Sequence, residues 1–356
     1  MDLKRTPSRD ADLPGPLGFT VPGRFERHER TLMTWPPREE AAGTVVPGYL
    51  PGFRDEVEAV AQAIARFEPV TMVVDPRDAV DALQRFASED AVEIVEIPVD
   101  CCWLRDNGPI FVRSSAGDEV AGVHFGFNGW GGRFPCEATA EMPVRLLEHL
   151  GLRTFRTDFI CEGGGVSFDG EGSVIMTEQV MLNSNRYAAA THSTIERQLA
   201  DWLGIEQVIW FELGLAEDTE TDGHVDNVVE FVAPGVALVQ TVSDRSNPNY
   251  DRLRDNLERL RAARDARGRR VEIIEMDVLP YAAGPDGRPL AIPYTNAYVV
   301  NDAVIAPEVD PALDDAGYRI LEKAFPGRTI VPVPSHWQAV GGGGLGCITQ
   351  QLPACR

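Results

Sequence analysis

The sequence is short of positive charge. Its 33 lysines and arginines face 55 aspartates and glutamates, a formal net charge of −22, and only Lys4 and Lys323 are lysines. Nucleic-acid backbones and anionic lipid surfaces bind through basic patches, so neither is an expected partner. The balance favours solubility, or long-range attraction of a small cation. Long apolar runs are also missing, and none approaches the length of a membrane span. Met1-Asp2-Leu3-Lys4 leads into a polar, proline-containing stretch rather than an apolar signal segment. A cytoplasmic protein is expected. Cysteine is sparse, with Cys101, Cys102, Cys136, Cys161, Cys347 and Cys355 in 356 residues and no CxxC pair. That is too few for a disulfide scaffold, and free thiols in a reducing compartment are expected. The six histidines are scattered and lack metal-site spacing such as HExxH, so no metal site is expected.

What is present is a row of five short polar segments beside strand-like apolar runs. They are Arg105-Asp106-Asn107-Gly108, Glu162-Gly163-Gly164-Gly165, Gly223-His224-Val225-Asp226, Tyr294-Thr295-Asn296 and Gly343-Gly344-Leu345-Gly346-Cys347. Their anchors at 106, 162, 224, 296 and 347 lie 56, 62, 72 and 51 positions apart. Each period offers a different chemical group.

The intervening chain alternates helix and strand. Apolar residues at helical spacing predict helices over 53–67, 78–87, 139–151, 192–203, 248–264 and 312–324. Strands are predicted at 31–35, 69–74 and 92–97, and hairpins at 165–176, 228–239 and 298–305. The unit is helix, strand, polar segment, hairpin, repeated about five times. One unit is too small to bury its own apolar face, and packing units side by side gives one shared core. A ring would bring all five polar segments to one centre, with the strand at 31–35 completing the last unit. An ordinary three-layer α/β fold is the alternative. The 44% hydrophobic content supports a large core, and no linker is visible, so residues 1–356 are expected to form a single catalytic domain with a loose tail at 1–20.

The chemistry at these segments is suggestive. Glycines around Cys347 let the backbone approach a ligand closely, although a buried structural cysteine after a flexible turn reads the same way. If 224–226 is extended, His224 and Asp226 face one side, one to move a proton and the other to hold a cation. The run Glu217-Asp218-Thr219-Glu220-Thr221-Asp222 leads into them as an acidic approach. Asp106 and Glu162 add carboxylates, with a surface pair and a turn as their plainer readings. Asn296 sits in an apolar stretch and needs a partner if buried. Together the set points to a cysteine-dependent enzyme acting on a cationic substrate.

With these residues in view, the chain resembles the agmatine deiminase family, part of the guanidine-modifying superfamily that includes bacterial peptidylarginine deiminase. The matching segments are 22–36, Trp103-Leu104-Arg105-Asp106-Asn107-Gly108-Pro109, Phe127-Asn128-Gly129-Trp130-Gly131-Gly132, Glu162-Gly163-Gly164, Asn183-Ser184-Asn185-Arg186, Asp222-Gly223-His224-Val225-Asp226 and Gly346-Cys347-Ile348-Thr349-Gln350-Gln351. The resemblance implies a five-bladed α/β propeller with pseudo-fivefold symmetry. It implies Cys347 as nucleophile, His224 as general acid/base, and Asp106 and Asp226 as guanidinium-binding carboxylates. Glu162, Trp103 and Asn296 match positions that line or support the pocket. The implied reaction is hydrolysis of agmatine to N-carbamoylputrescine and ammonia through an amidino-cysteine, without metal or organic cofactor. The other readings are deimination of arginine, peptidyl arginine or a specialised metabolite, amidino transfer to an amine, and a non-catalytic guanidine binder. Homo-oligomerisation is allowed.

The sequence departs from the family pattern in places. Gly344 and Gly346 stand where typical members have Asn and His, Phe25 where Trp is usual, and Asp100-Cys101-Cys102 where Asn-Asp-Ser is common. The guanidinium-processing set is untouched, so the expected difference lies in the grip on the rest of the substrate. Cys355 has no assigned role.

Overall fold

A computed structural model describes residues 13–38 and 48–356. Its strands form five sheets of three or four strands and one two-stranded ribbon. The sheets share a plan: an antiparallel hairpin, a helix, then a strand returning parallel to the second hairpin strand. Parallel pairing requires such a crossover, and the helices provide it. Val166–Phe168 pairs with Ser173–Thr177, and Gln207–Phe211 returns after the helix His192–Leu203. Val229–Ala233, Val236–Gln240 and Glu272–Met276 repeat this around the helix Tyr250–Ala262. Tyr298–Val300, Ala303–Glu308 and Thr329–Pro334 repeat it around Pro311–Ala324. Ile110–Ser114, Val120–Gly126 and Arg153–Ile160 do so around Met142–His149.

The fifth sheet takes its hairpin from opposite ends of the chain. Thr349–Pro353 runs antiparallel to His28–Thr34, which continues in parallel through Val70–Val74 to Val92–Glu96. The early strand therefore pairs with the last strand, as its place in the repeat requires.

Helical spacing sets which faces are buried. Ile195, Leu199 and Leu203 bury one stripe of their helix, and Leu253, Leu257 and Leu260 bury another. Thr191 caps the first of these through the Thr194 amide, and Gly204 ends it at φ 65°, where a side chain would be strained. The cores join adjacent units. From the helix Tyr49–Ala65, Phe53, Val57 and Ile64 share one apolar cluster with Ile305 and Val331 of a neighbouring sheet.

Three expectations change. The helix expected over 139–151 is a 3-10 turn, Thr139–Glu141, followed by Met142–His149. Pro143 lacks an N–H and suits the first turn of a helix but not its interior, so the α-helix starts there. Of the tail expected at 1–20, residues 1–12 lie outside the described residues, but 13–20 are packed rather than loose. Leu13 and Phe19 are buried, Phe19–Thr20 pairs with Arg113 and Ser114, and Phe19 meets Phe155 edge-on at 5.6 Å. Apolar burial outweighs the prolines there. The ribbon of Tyr281–Ala283 and Pro289–Ala291 has no counterpart among the expected elements.

The end-to-end sheet carries a stability prediction. Leu352 is buried with Leu32, Val73 and Phe111, close to the end of the chain. Leu352→Ala should lower unfolding free energy by about 3 kcal/mol, read from urea denaturation; a loss below about 0.5 kcal/mol, the usual range for surface changes, would mean that the terminal strand is not integral.

Candidate active site

The five polar segments become short turns, each leading into the first strand of a sheet's hairpin. They are Leu104–Asn107, Gly163–Gly165, Val225–Asn227, Tyr294–Asn296 and the segment 344–347. They are linked in a cycle. The Gly164 amide donates to Asp106 Oδ1 at 2.8 Å, and His224 Nε2 lies 2.9 Å from Glu162 Oε2. Thr295 Oγ1 donates to the Asn227 carbonyl at 3.0 Å. The Gly346 amide donates to the Asn296 carbonyl at 3.0 Å, and the Arg105 amide to the Cys347 carbonyl at 3.1 Å. All seven residues singled out from the sequence lie in this assembly or against it.

Gly164 marks where three side chains meet. A Cβ there would lie 2.5 Å from His224 Nδ1, 2.9 Å from Asp106 Oδ1 and 3.0 Å from Asp226 Oδ2. Only glycine leaves room for that convergence. Cys347 completes the group, with Sγ 4.0 Å from Asp226 Oδ2 and 3.6 Å from Asn296 Nδ2. The condition that 224–226 be extended is not met, because Val225–Asn227 forms a 3-10 turn. His224 and Asp226 converge through tertiary contacts instead. Asn296 likewise sits in a 3-10 turn rather than a strand, donates to Asn227 Oδ1 at 3.2 Å, and accepts the Gly346 amide on its own Oδ1 at 2.9 Å.

Buried charge dominates the electrostatics. Burial alone would depress the His224 imidazole, but Asp106, Glu162 and Asp226 outweigh it and hold it at about 10. Burial pushes Asp226 up to about 6, against the pull of His224, Arg24 and Arg105. Asp106 is also raised, chiefly by burial, although it accepts from Trp130 Nε1 at 3.0 Å and from the Gly164 amide. Burial would raise Glu162 too, yet it lies below its usual range because His224 and Arg186 face it. Arg186 grips Glu162 through both oxygens, at 2.9 and 2.8 Å. The Cys347 thiol is raised well above its usual range by burial, Asp226 and Asp106. The resting sulfur is therefore a thiol, and a cation beside it would favour the thiolate.

Part of this cluster borders a cavity of about 700 Å³. Asp106, Asn296 and Cys347 lie on it with Trp103, Trp130 and Phe134, while Glu217, Asp218 and Glu220 add negative charge. Trp103 packs on the glycine loop, where a Cβ at Gly343 would meet its ring at 2.3 Å. The departures at Gly344 and Gly346 do not open space behind the loop. Cβ positions there fall 2.7 and 3.0 Å from Asn296 Oδ1, so the amide already occupies that ground.

Other contributors have no role assigned from sequence. Trp130 and Arg186 lie in segments that carry the family pattern, but only the fold brings them to Asp106 and Glu162. Arg105 supports the cysteine loop from behind, donating from Nε to the Gly346 carbonyl at 3.0 Å. Arg24 and Glu230 form a buried ion pair at 3.0 Å, and nothing in their local sequence announces it.

Comparisons with known proteins place the chain in a family. The family model described as Porphyromonas-type peptidyl-arginine deiminase matches residues 20–353. The agmatine deiminase of Pseudomonas aeruginosa (strain LESB58) is 38% identical over 98% of this chain and 99% of its own. That of Ectopseudomonas mendocina (strain ymp) is 36% identical over 95% and 96%. A solved structure, agmatine deiminase of Enterococcus faecalis, superimposes with a TM-score of 0.90 at 30% identity, covering 99% of this chain and 100% of that one. The chain belongs to the Porphyromonas-type peptidyl-arginine deiminase family, and within it to the agmatine deiminase family.

The thiol environment gives a direct test. Alkylation of Cys347 by iodoacetamide should still be accelerating at pH 9, because its thiolate forms only at higher pH. Asp226→Asn removes a charge that opposes the thiolate and should shift the rise to lower pH. A plateau already reached at pH 8 in the unaltered protein would contradict this electrostatic account.

Proposed function

We propose that the protein hydrolyses the guanidinium of agmatine, giving N-carbamoylputrescine and ammonia. The observation that carries this reading is the convergence of Cys347, His224, Asp106 and Asp226 around Gly164, beside an acidic cavity. Asp106 and Asp226 orient the planar cation by accepting its N–H groups and set its central carbon over Cys347 Sγ. The substrate's charge compensates the carboxylates that disfavour the thiolate. Glu162 holds the His224 ring, Asn296 holds the cysteine loop, and Trp103 forms a wall of the pocket.

Once the cation is bound, the Cys347 thiol releases its proton to solvent; the thiolate attacks the central carbon, and the His224 imidazolium gives its proton to the departing nitrogen, which leaves as ammonia. A cationic amidino-thioether remains. Neutral His224 then takes a proton from water, the hydroxyl adds to the same carbon, and the carbon–sulfur bond breaks to release the ureido product. The thiolate and imidazolium are restored, and the remaining proton converts ammonia to ammonium.

The cavity favours agmatine over free arginine. Glu217, Asp218 and Glu220 outnumber Arg288 on its lining, and Arg288 is paired with Asp286, so the wall suits a distal ammonium over a distal carboxylate. We also place the five sheets in a five-bladed α/β propeller with pseudo-fivefold symmetry, forming a single domain. The common strand plan and the cycle of linked turns support that arrangement. A cytoplasmic setting fits six cysteines of which none is in a disulfide.

Ammonia release from agmatine, arginine, N-terminally blocked arginine and simple alkylguanidines, with mass analysis of products and Cys347→Ala as control, tests this reading. Agmatine should be converted best, and Cys347→Ala should abolish turnover. Preference for another guanidine would move the substrate assignment, and Cys347-independent turnover would end the mechanism. The pH dependence of kcat/KM should be a bell. Its acid limb lies above about pH 8 and reflects the free Cys347 thiol, which must lose its proton before it attacks, while protonation of Asp226 near 6 weakens the grip on the cation further. Its basic limb near 10 reflects His224, which must be protonated to act as acid. The acid limb of kcat should lie lower, because the bound cation stabilises the thiolate.

A further inference from the structure

Trp130 and Asp222 are the two non-glycine residues with left-handed backbone among the described residues, at φ 53° and 66°. Such a conformation is costly for a side-chain-bearing residue and persists only where surrounding contacts hold it. Arg133 joins the two. Its Nη1 donates to the Trp130 carbonyl at 2.5 Å and to Asp222 Oδ2 at 2.7 Å, while Nη2 donates to Asp222 Oδ1 at 2.5 Å. Asp222 also accepts from Asn185 Nδ2 at 2.9 Å and from Arg186 Nη1. Asn128 closes the Trp130 loop by accepting the Gly131 amide at 2.8 Å and donating to the Asn185 carbonyl at 3.0 Å.

Two arms run from Asp222 to the reacting groups. One passes through Arg133 and the Trp130 loop to the indole N–H on Asp106. The other passes through Arg186 to Glu162 and thence to His224. We propose that Asp222 is a positioning residue for the deimination, one carboxylate that clamps the Trp130 loop and Arg186 together and so sets both the guanidinium-binding Asp106 and the acid/base His224. The inference rests on the function proposed above.

The second arm has a sign. Arg186 is shared between Glu162 and Asp222. Neutralising Asp222 leaves the guanidinium wholly on Glu162, which weakens the negative field at His224 and lowers the affinity of the ring for its proton. The groups that face or adjoin His224 are Asp106, Glu162 and Asp226, with Asp218 accepting its backbone amide and Cys347 beside Asp226. None of these changes in an Asp222 variant. Asp222 is itself held at about 2, where Arg133, Asn185 and Arg186 outweigh its burial, so it stays charged across the working range.

Asp222→Asn tests the clamp with little backbone disturbance, because Asn tolerates the left-handed region. Its fold is checked by thermal unfolding, and the variant is compared with Arg133→Ala. The His224 ring is titrated directly by NMR, with its signal assigned by loss in His224→Asn, so this readout does not depend on substrate. Asp222→Asn should lower the His224 midpoint and the basic limb of kcat/KM by about one pH unit and cut kcat/KM by up to about 100-fold. Arg133→Ala severs only the loop arm. It should raise KM roughly threefold and leave the His224 midpoint in place. An unmoved midpoint in folded Asp222→Asn overturns the proposal, as does an equal shift in both variants. A shifted midpoint in a protein that turns over no guanidine would keep the linkage and remove the function on which its catalytic meaning rests.

Discussion

An excess of buried negative charge around one imidazole and one thiol governs this site. Asp106, Glu162 and Asp226 are all buried; His224 and Arg186 face Glu162, and His224, Arg24 and Arg105 act on Asp226. Left without a further cation, the cluster holds a proton on His224, keeps one on Cys347 and raises Asp226. Each effect is relieved by the same event, the arrival of a planar cation between the carboxylates and the sulfur. A neutral amide or ester would bring no such relief. The electrostatics thus selects the substrate's charge before shape is considered, and on the proposed mechanism substrate binding makes the nucleophile.

Such a cluster is tolerable only because its geometry is over-determined. The segments bearing it are turns rather than strands, so each offers backbone amides and carbonyls as well as side chains. Gly164 donates to Asp106, Gly346 donates to Asn296, and Arg105 ties its own turn to the cysteine loop through backbone and side chain. The sheets behind them repeat one strand order, so each turn is presented at the same point of its unit. The terminal strand, lying against His28–Thr34, fixes the cysteine loop that immediately precedes it. A change in packing far from the cavity can reach the thiol by that route.

Much of this was legible in the linear sequence because it depends on local pattern. Ile195, Leu199 and Leu203 fall at helical spacing and are buried. Hairpin turns such as 169–172 lie where glycine and aspartate mark them. The five polar segments stood out because apolar neighbours flank them, and their anchors converge. What local pattern mispredicted was backbone state. Val225–Asn227 and Tyr294–Asn296 lie beside strand-like runs but form 3-10 turns, closed by their own bonds from the Val228 amide to the Val225 carbonyl and from the Ala297 amide to the Tyr294 carbonyl.

Residue types, their order and the charge balance determined that this chain presents carboxylates, one histidine, an amide and a cysteine at regular intervals, and that a small cation is the fitting partner. The tertiary structure alone decided which carboxylate does what. Asp106, Glu162 and Asp226 are equivalent as letters, yet Glu162 is spent on Arg186 and His224, Asp106 on Trp130 and Gly164, and Asp226 keeps Oδ1 without a hydrogen bond. It also decided that Gly344 and Gly346 mark no vacant space, since Asn296 fills it from a neighbouring turn. The reason is physical: residue identity and local spacing are written along the chain, whereas proton affinity and free volume are set by burial and by groups about 50 to 240 positions away, as with Cys347 to Asn296 and Arg105 to Gly346.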